Sequence, residues 1–301
     1  MHDPAALDHP VQGREIALLS NPRSGGGRGA RHRDAALARL RESGFVVRNL
    51  QGRDADEASD LAHACVADGV EALVVCGGDG LVHLGVQAVA GSGVPLGLIP
   101  AGTGNDLARY LDLPRADPLA AADRIIASRR RTIDLARSGD RYFVTVLAAG
   151  LDALVNQRAD AMRWPRGQMR YHLATLAELR TFRPIHYTLD LDGERVQHEA
   201  MLVAVGNGES FGGGLRITEG ALLDDGLLDV VVITRMSKPK LVRAYPRLYN
   251  GTIDRVAEYV HRRVRTVSVA APGIVSYADG ERFGPLPLTI ECAPGALEVI
   301  A

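Results

Sequence analysis

The chain has 301 residues, 46% of them hydrophobic, and its 35 basic and 36 acidic side chains leave a formal charge of −1. Such a length and apolar content can bury a large core and suggest two domains. The near-neutral balance excludes a global attraction to nucleic acid or to an anionic membrane, so either would need a local patch.

Residues 1–13 read as a flexible polar tail with neither the basic region nor the apolar run of a signal peptide. From residue 14 to 130, strand and helix signals alternate. Short apolar runs at 15–20, 45–50, 72–76 and 95–100 read as strands, and helical spacing covers 29–43, 57–68, 81–91, 104–111 and 117–129. Nearly continuous apolar strands between helices argue for a parallel sheet covered on both faces. The character changes near residue 131. TIDLARSG-DRYFVTVLAAG reads as two strands around a Ser-Gly-Asp turn, a helical interlude follows at about 153–182, and strand signals then dominate, beginning with a hairpin over Asp192-Gly193. This β-rich half, 131–301, suggests a sandwich or an antiparallel sheet, and its last strand could cross back to the first half. A ligand cleft is expected between the halves. No stretch approaches the roughly 20 apolar residues of a membrane span. Cys65, Cys76 and Cys292, without paired spacing, read as reduced core residues of a cytosolic protein.

Only two lysines occur, Lys238 and Lys240, both in MSKPK. Neither lies in a phosphate-binding G-x-x-x-x-G-K-[ST] loop or on a kinase third strand, which excludes those two routes to ATP chemistry. The nine histidines show no zinc spacing, and no G-x-S-x-G elbow is present.

Three glycine-rich segments follow three of the first-half strands: NPRSGGGRG (21–29), GGDG (77–80) and PAGTGND (100–106). In a parallel sheet such loops open on one edge, where ligands bind. Glycine lets backbone N–H groups approach an anion, and a following helix N-terminus favours negative charge. Asp79 and Asp106 are placed to hold Mg²⁺ against a polyphosphate. Singly, each loop could equally be a tight turn, and Asp106 a helix-start residue.

The order NPxSGG, GGDG, PxGTxND resembles the diacylglycerol kinase catalytic domain, a group that includes soluble bacterial lipid kinases and the sphingosine and ceramide kinases. TIDL (132–135), GLDALV (150–155), GNGESFGGGLRITEGALLDDGLLDVVVI (206–233) and DGE (279–281) continue the likeness across nearly the whole chain. The resemblance implies a Rossmann-like N-terminal α/β domain of the NAD kinase and diacylglycerol kinase type, with a C-terminal β-sandwich and the active site between them. It implies nucleotide loops at Asn21, Pro22, Arg23, Ser24 and Gly25, at Gly78, Asp79, Gly80, Leu81, Val82, His83 and Leu84, and at Thr103 and Asp106. Asp79 is similar to the aspartate at the ATP-magnesium centre, and Glu281 matches the general base. Asp134 and Asp225 resemble acids of a structural magnesium network that carbonyls at Leu222 and Leu227 complete. One departure stands out: where the family reads GGDGT and then Asn-Glu, this chain reads GGDG-Leu81-Val82-His83-Leu84, without that hydroxyl and carboxylate.

The function implied is an ATP-dependent, Mg²⁺-assisted lipid kinase acting on diacylglycerol or a related lipid. The alternatives are an NAD kinase, which shares GGDG, and a non-catalytic nucleotide- or lipid-binding member of the same fold. A lipid acceptor needs a membrane surface, and residues 156–183 interleave six arginines with Trp164, Tyr171, Met162 and Met169. Such a segment suits an anionic bilayer, or is equally a solvated arginine face over core leucines. A cytoplasmic protein at the inner membrane face is expected, with a homodimer a possible assembly and no nucleic-acid partner.

Overall fold

The structure, a computed structural model, describes residues 14–21, 24–150 and 183–301 together with scattered positions between 155 and 177. The tail 1–13, loop residues Pro22 and Arg23, and most of the basic-aromatic segment 156–183 lie outside the described residues.

The first half runs β1 (Glu15–Ser20), α1 (Ser24–Glu42), β2 (Val46–Leu50), α2 (Ala55–Ala67), β3 (Ala72–Gly77), α3 (Asp79–Val89), β4 (Leu96–Pro100), α4 (Asp106–Tyr110) and α5 (Pro118–Ala127). Its strands pair in parallel in the order β2-β1-β3-β4. Because successive strand residues point to opposite faces, each apolar run serves two cores. Ile16, Leu18, Val74 and Ile99 meet Ala36 and Leu40 of α1 and Ile125 of α5. Ala17, Leu19, Val75 and Leu98 meet Ala62 of α2 and Val86 and Val89 of α3. Helix starts follow local chemistry: the Asp54 carboxylate accepts from the Glu57 amide at 2.9 Å and opens α2, and Asp117, with Pro118 behind it, opens α5.

The second half runs β5 (Arg130–Ser138), β6 (Arg141–Phe143), β7 (Val146–Gly150), β8 (Ile185–Leu191), β9 (Glu194–Gly206), β10 (Ser210–Phe211), β11 (Leu215–Arg216), β12 (Leu228–Thr234), α6 (Lys238–Tyr249), β13 (Tyr259–Val264), β14 (Thr266–Ala270), β15 (Val275–Ala278), β16 (Glu281–Pro285) and β17 (Leu288–Ile300). It forms a C-terminal β-sandwich domain, mainly antiparallel. The β8–β9 hairpin turns at Asp192 and Gly193, both with positive φ (52° and 94°), the geometry that matches strand twist.

Two elements differ from the pattern in the sequence. The run FVTVLAAG is broken between β6 and β7, because the amides of Val144 and Thr145 donate to the Asp279 carboxylate rather than to a neighbouring strand. Helix α6 interrupts the strand-dominated half; Pro239 occupies its first turn, and Pro246 sits inside it. Strand β17 joins the halves. It pairs with β14, then shifts register against β5 between Ala293 and Leu297, and ends with Val299 and Ile300 paired in parallel to β4.

Candidate active site

Parallel strands end on one edge, so the chain leaving β1, β3 and β4 gathers there. Gly25, Gly26 and Gly27 all take positive φ, and regular helix begins only after them. Arg28 then folds back: its Nε donates to the Gly25 carbonyl (3.1 Å) and its Nη2 to the Gly102 carbonyl (3.2 Å), clasping the first loop to the third. At one point the second and third loops meet backbone to backbone, at Gly78 and Gly102. A Cβ built on Gly102 would lie 2.5 Å from Gly78 Cα, so a side chain at Gly102 would separate the loops. Gly78 precedes α3 without a side-chain cap, and its carbonyl accepts from the Leu81 and Val82 amides, so no side chain stands over the start of that helix.

Asp79 starts α3 and holds the third loop. Its Oδ1 accepts from the Asp106 amide at 2.7 Å and its Oδ2 from the Asn105 amide at 2.8 Å, with Asn105 in the left-handed region. Asp106 in turn accepts through Oδ2 from the Gly213 amide (2.9 Å), which brings in the turn between β10 and β11. Its other oxygen, Oδ1, is buried and has no hydrogen-bond partner. Burial, and then the charge of Asp79, push the Asp106 carboxyl up to about 6. Burial also raises Asp79, against the pull of the two amides. These carboxylates are held in a medium that disfavours their charge, with an oxygen to spare.

Glu281 comes from the opposite half. It begins β16 after a turn at Asp279, whose φ is 53°, and Gly280. Its side chain is exposed and reaches Gly80: a Cβ built there would lie 2.5 Å from Glu281 Oε1. The turn is fixed by Asp279, which accepts from the amides of Val144 (3.0 Å) and Thr145 (2.8 Å) and from the Thr145 hydroxyl (2.6 Å). His83 Nδ1 lies 3.2 Å from Oδ2, the oxygen that also accepts from the Val144 amide.

A second acidic group stands farther along. Asp134 of β5 accepts from the amides of Gly226 (2.7 Å) and Gly295 (2.8 Å), and its own amide donates to the Leu223 carbonyl. Asp225 accepts from the Leu227 amide and pairs with Arg263. Leu222 is exposed on the same loop.

Residues 15–138 match the diacylglycerol kinase catalytic domain, and residues 145–301 match the YegS C-terminal NAD kinase beta sandwich-like domain. A diacylglycerol kinase of Mycobacterium tuberculosis H37Rv is 44% identical over 95% of this chain and 94% of its own length. The chain belongs to the diacylglycerol kinase family. A Bacillus subtilis diacylglycerol kinase is 27% identical, covering 91% of this chain and 92% of its own. Among solved structures, a diacylglycerol kinase of Bacillus anthracis superposes with a TM-score of 0.77 at 24% identity, over 96% of this chain and 97% of that one. An NAD kinase of Archaeoglobus fulgidus in complex with ATP gives 0.50 at 13% identity, over 95% and 92%. Both show the fold.

Of the residues that the family pattern marks, Gly78, Asp79, Gly80, Asp106 and Glu281 come together here, with Gly25 packed against Ala101 of the third loop; Asn21, Ser24 and Thr103 lie on the same loops. The tract after GGDG does not turn its side chains toward the cleft: Leu81 and His83 are buried, and Val82 and Leu84 pack against the core beneath α3. Sequence reasoning missed Arg28, Arg109, whose guanidinium donates to the Gly104 carbonyl, and the anchoring role of Asp279. The signal for Arg28 was an arginine directly after a glycine run in a chain almost without lysine.

The two acidic groups fit magnesium differently. Asp79 and Asp106 offer the buried, unpartnered Oδ1, a donor set suited to a hard cation. At the loop 222–227 every carboxylate oxygen of Asp134 and Asp225 already meets an N–H group or Arg263. Among the described residues, no three acidic, histidine or cysteine side chains there or elsewhere form a metal cluster. As arranged, Asp134 and Asp225 with the Gly226, Leu227 and Gly295 amides form a hydrogen-bonded staple with its own cation, Arg263, rather than an open oxygen cage, and Leu222 is simply exposed beside it.

Proposed function

We propose that this cleft transfers the γ-phosphate of ATP to the hydroxyl of a lipid, diacylglycerol being the expected acceptor. The observation that carries the reading is the approach of the Glu281 carboxylate to Gly80, beside Asp79 and the unpartnered oxygen of Asp106. Phosphoryl transfer asks a protein mainly for position and charge stabilisation. The backbone of the loops at 21–27, 78–80 and 101–105 would cradle the polyphosphate, with Pro22, Arg23, Leu81, Val82 and Leu84 contributing through main chain or flank. Asp79 and Asp106 would hold Mg²⁺, which when bound neutralises charge on the phosphates. Glu281, exposed and facing the loops, accepts the proton of the lipid hydroxyl.

A bilayer-borne acceptor also needs a docking face. Helix α6 carries Lys238, Lys240, Arg243 and Arg247 with no acidic residue, and Val242 and Tyr249 are exposed on it. It packs against β11, next to the turn that binds Asp106; Lys240 is paired with Glu258, and Arg243 and Arg247 with the exposed Val242 and Tyr249 make a surface near the cleft that suits an anionic bilayer. No helix among the described residues is long and apolar enough to cross a membrane.

The test is incubation with γ-labelled ATP, Mg²⁺ and a total lipid extract, with NAD in a parallel arm. Label in a phosphorylated diacylglycerol supports the reading. Label in aqueous NADP instead overturns it in favour of the NAD kinase alternative, and ATP binding without turnover favours a non-catalytic member.

A further inference from the structure

Helix α3 places Asp79, His83 and Gln87 four residues apart, on one ridge. Each grips a different part of the molecule. Asp79 holds the amides of Asn105 and Asp106 in the third loop. Gln87 makes a two-way amide pair with the backbone of Tyr142 in β6, donating to its carbonyl at 2.8 Å and accepting from its N–H at 3.0 Å. His83, only 5% exposed, reaches Asp279, itself 8% exposed, in the turn that carries Glu281. His83 belongs to the tract that the sequence assigns to the nucleotide, yet its ring is turned away into the junction between the halves.

We propose that His83 is a positioning residue for Glu281. The carboxylate of Asp279 is an acceptor, so the ring nitrogen facing it, Nδ1, carries the hydrogen. Val144 and Thr145 tie the Asp279 turn to its own sheet, whereas His83 ties it to α3. Burial alone would raise the Asp279 carboxyl, but the His83 contact and the Thr145 and Val144 donors outweigh it and hold the group below its ordinary range. Asp279 therefore remains an anion with its donors in place. Glu281 lies two residues beyond and meets Gly80, one residue from Asp79, so the same helix that presents Asp79 also sets where the base stands. Loss of the His83 bond frees the turn from α3 and lets Glu281 drift from the loops. A displacement of the order of 1 Å costs roughly a hundredfold in a reaction of this kind.

This inference rests on the reading of Glu281 as the base, and the experiment separates the two. In asparagine, Nδ2 is bonded to Cγ as Nδ1 is in histidine, so His83→Asn keeps a donor at the same place in a smaller side chain. His83→Gln keeps the size better but moves the donor one bond outward. Turnover should fall roughly 10- to 100-fold in His83→Ala and His83→Gln, with the KM for ATP changed less than about threefold, and recover in His83→Asn. Amide hydrogen exchange at Asp279–Glu281, read without substrate, should quicken in the first two variants and not in the third. Equal behaviour of the Gln and Asn variants, or wild-type turnover and exchange in His83→Ala, overturns the proposal. If the exchange pattern holds but Glu281→Gln is fully active, the positioning survives and the assignment of the base fails.

Discussion

Two sets of carboxylates line the path from the glycine loops to the β-sandwich, and they are held in opposite ways. Asp134 and Asp225 are satisfied: backbone amides or Arg263 meet each oxygen. Asp79 and Asp106 are crowded together, buried, raised toward neutrality, and left with an oxygen that meets nothing. Satisfied charges contribute to stability, while charges kept short of partners cost stability until something binds. On the proposed reading, the first group is architecture and the second chemistry.

The sharpest test of that division lies opposite Asp79. A positioned base contributes about 10²–10⁴-fold, so Glu281→Gln should lower turnover by roughly that factor while calorimetric ATP binding stays near wild type. Unchanged turnover removes Glu281 from its role. In the satisfied group the loss should appear in folding instead. Asp134→Ala strands the amides of Gly226 and Gly295, and at roughly 1.5–3 kcal/mol for each charge-assisted bond it should cost about 3–6 kcal/mol in urea unfolding.

Asp106 predicts a pH effect of the reverse sign. A carboxyl raised to about 6 binds its proton more tightly in the folded chain than in the unfolded one. Stability of the ligand-free protein should therefore fall as pH climbs from the ordinary carboxylate range to about 6, then level off. Asp106→Asn should flatten that slope and stabilise the protein at pH 8 by up to about 2–3 kcal/mol while lowering activity. A variant no more stable than wild type at pH 8 would mean the strain is absent. The smallest effect belongs to Arg263→Ala. Removing a half-exposed ion-pair partner should cost no more than about 1 kcal/mol, but it frees Asp225, and the melting temperature should then rise with added Mg²⁺. Lack of any magnesium response would leave Asp225 a purely structural acid.

Much of this was legible in the chain itself. The alternation of strands and helices gave the parallel half, because buried strands cannot hide their apolar runs. The glycine segments gave the loop edge, because close approach of backbones demands them. What stayed hidden depends on contacts between distant residues. His83 and Asp279 are 196 positions apart, and nothing near His83 signals that its ring leaves the nucleotide tract. The break between β6 and β7 is equally opaque, since an apolar FVTVL run reads as one strand until Asp279 takes two of its amides. Helix α6 was concealed by its own prolines, Pro239 and Pro246, one harmless in a first turn and the other tolerated within. The orphaned oxygen of Asp106 has no local signature at all.

Strand β17 carries a consequence for synthesis. Among the described residues, the outer edge of β4 is paired by Val299 and Ile300, just over 200 residues downstream. While the ribosome is still making the sandwich, the nucleotide half waits with an open apolar edge, a surface prone to pairing with other chains. The sheet of the first half is thus completed only once residues 299 and 300 have been made.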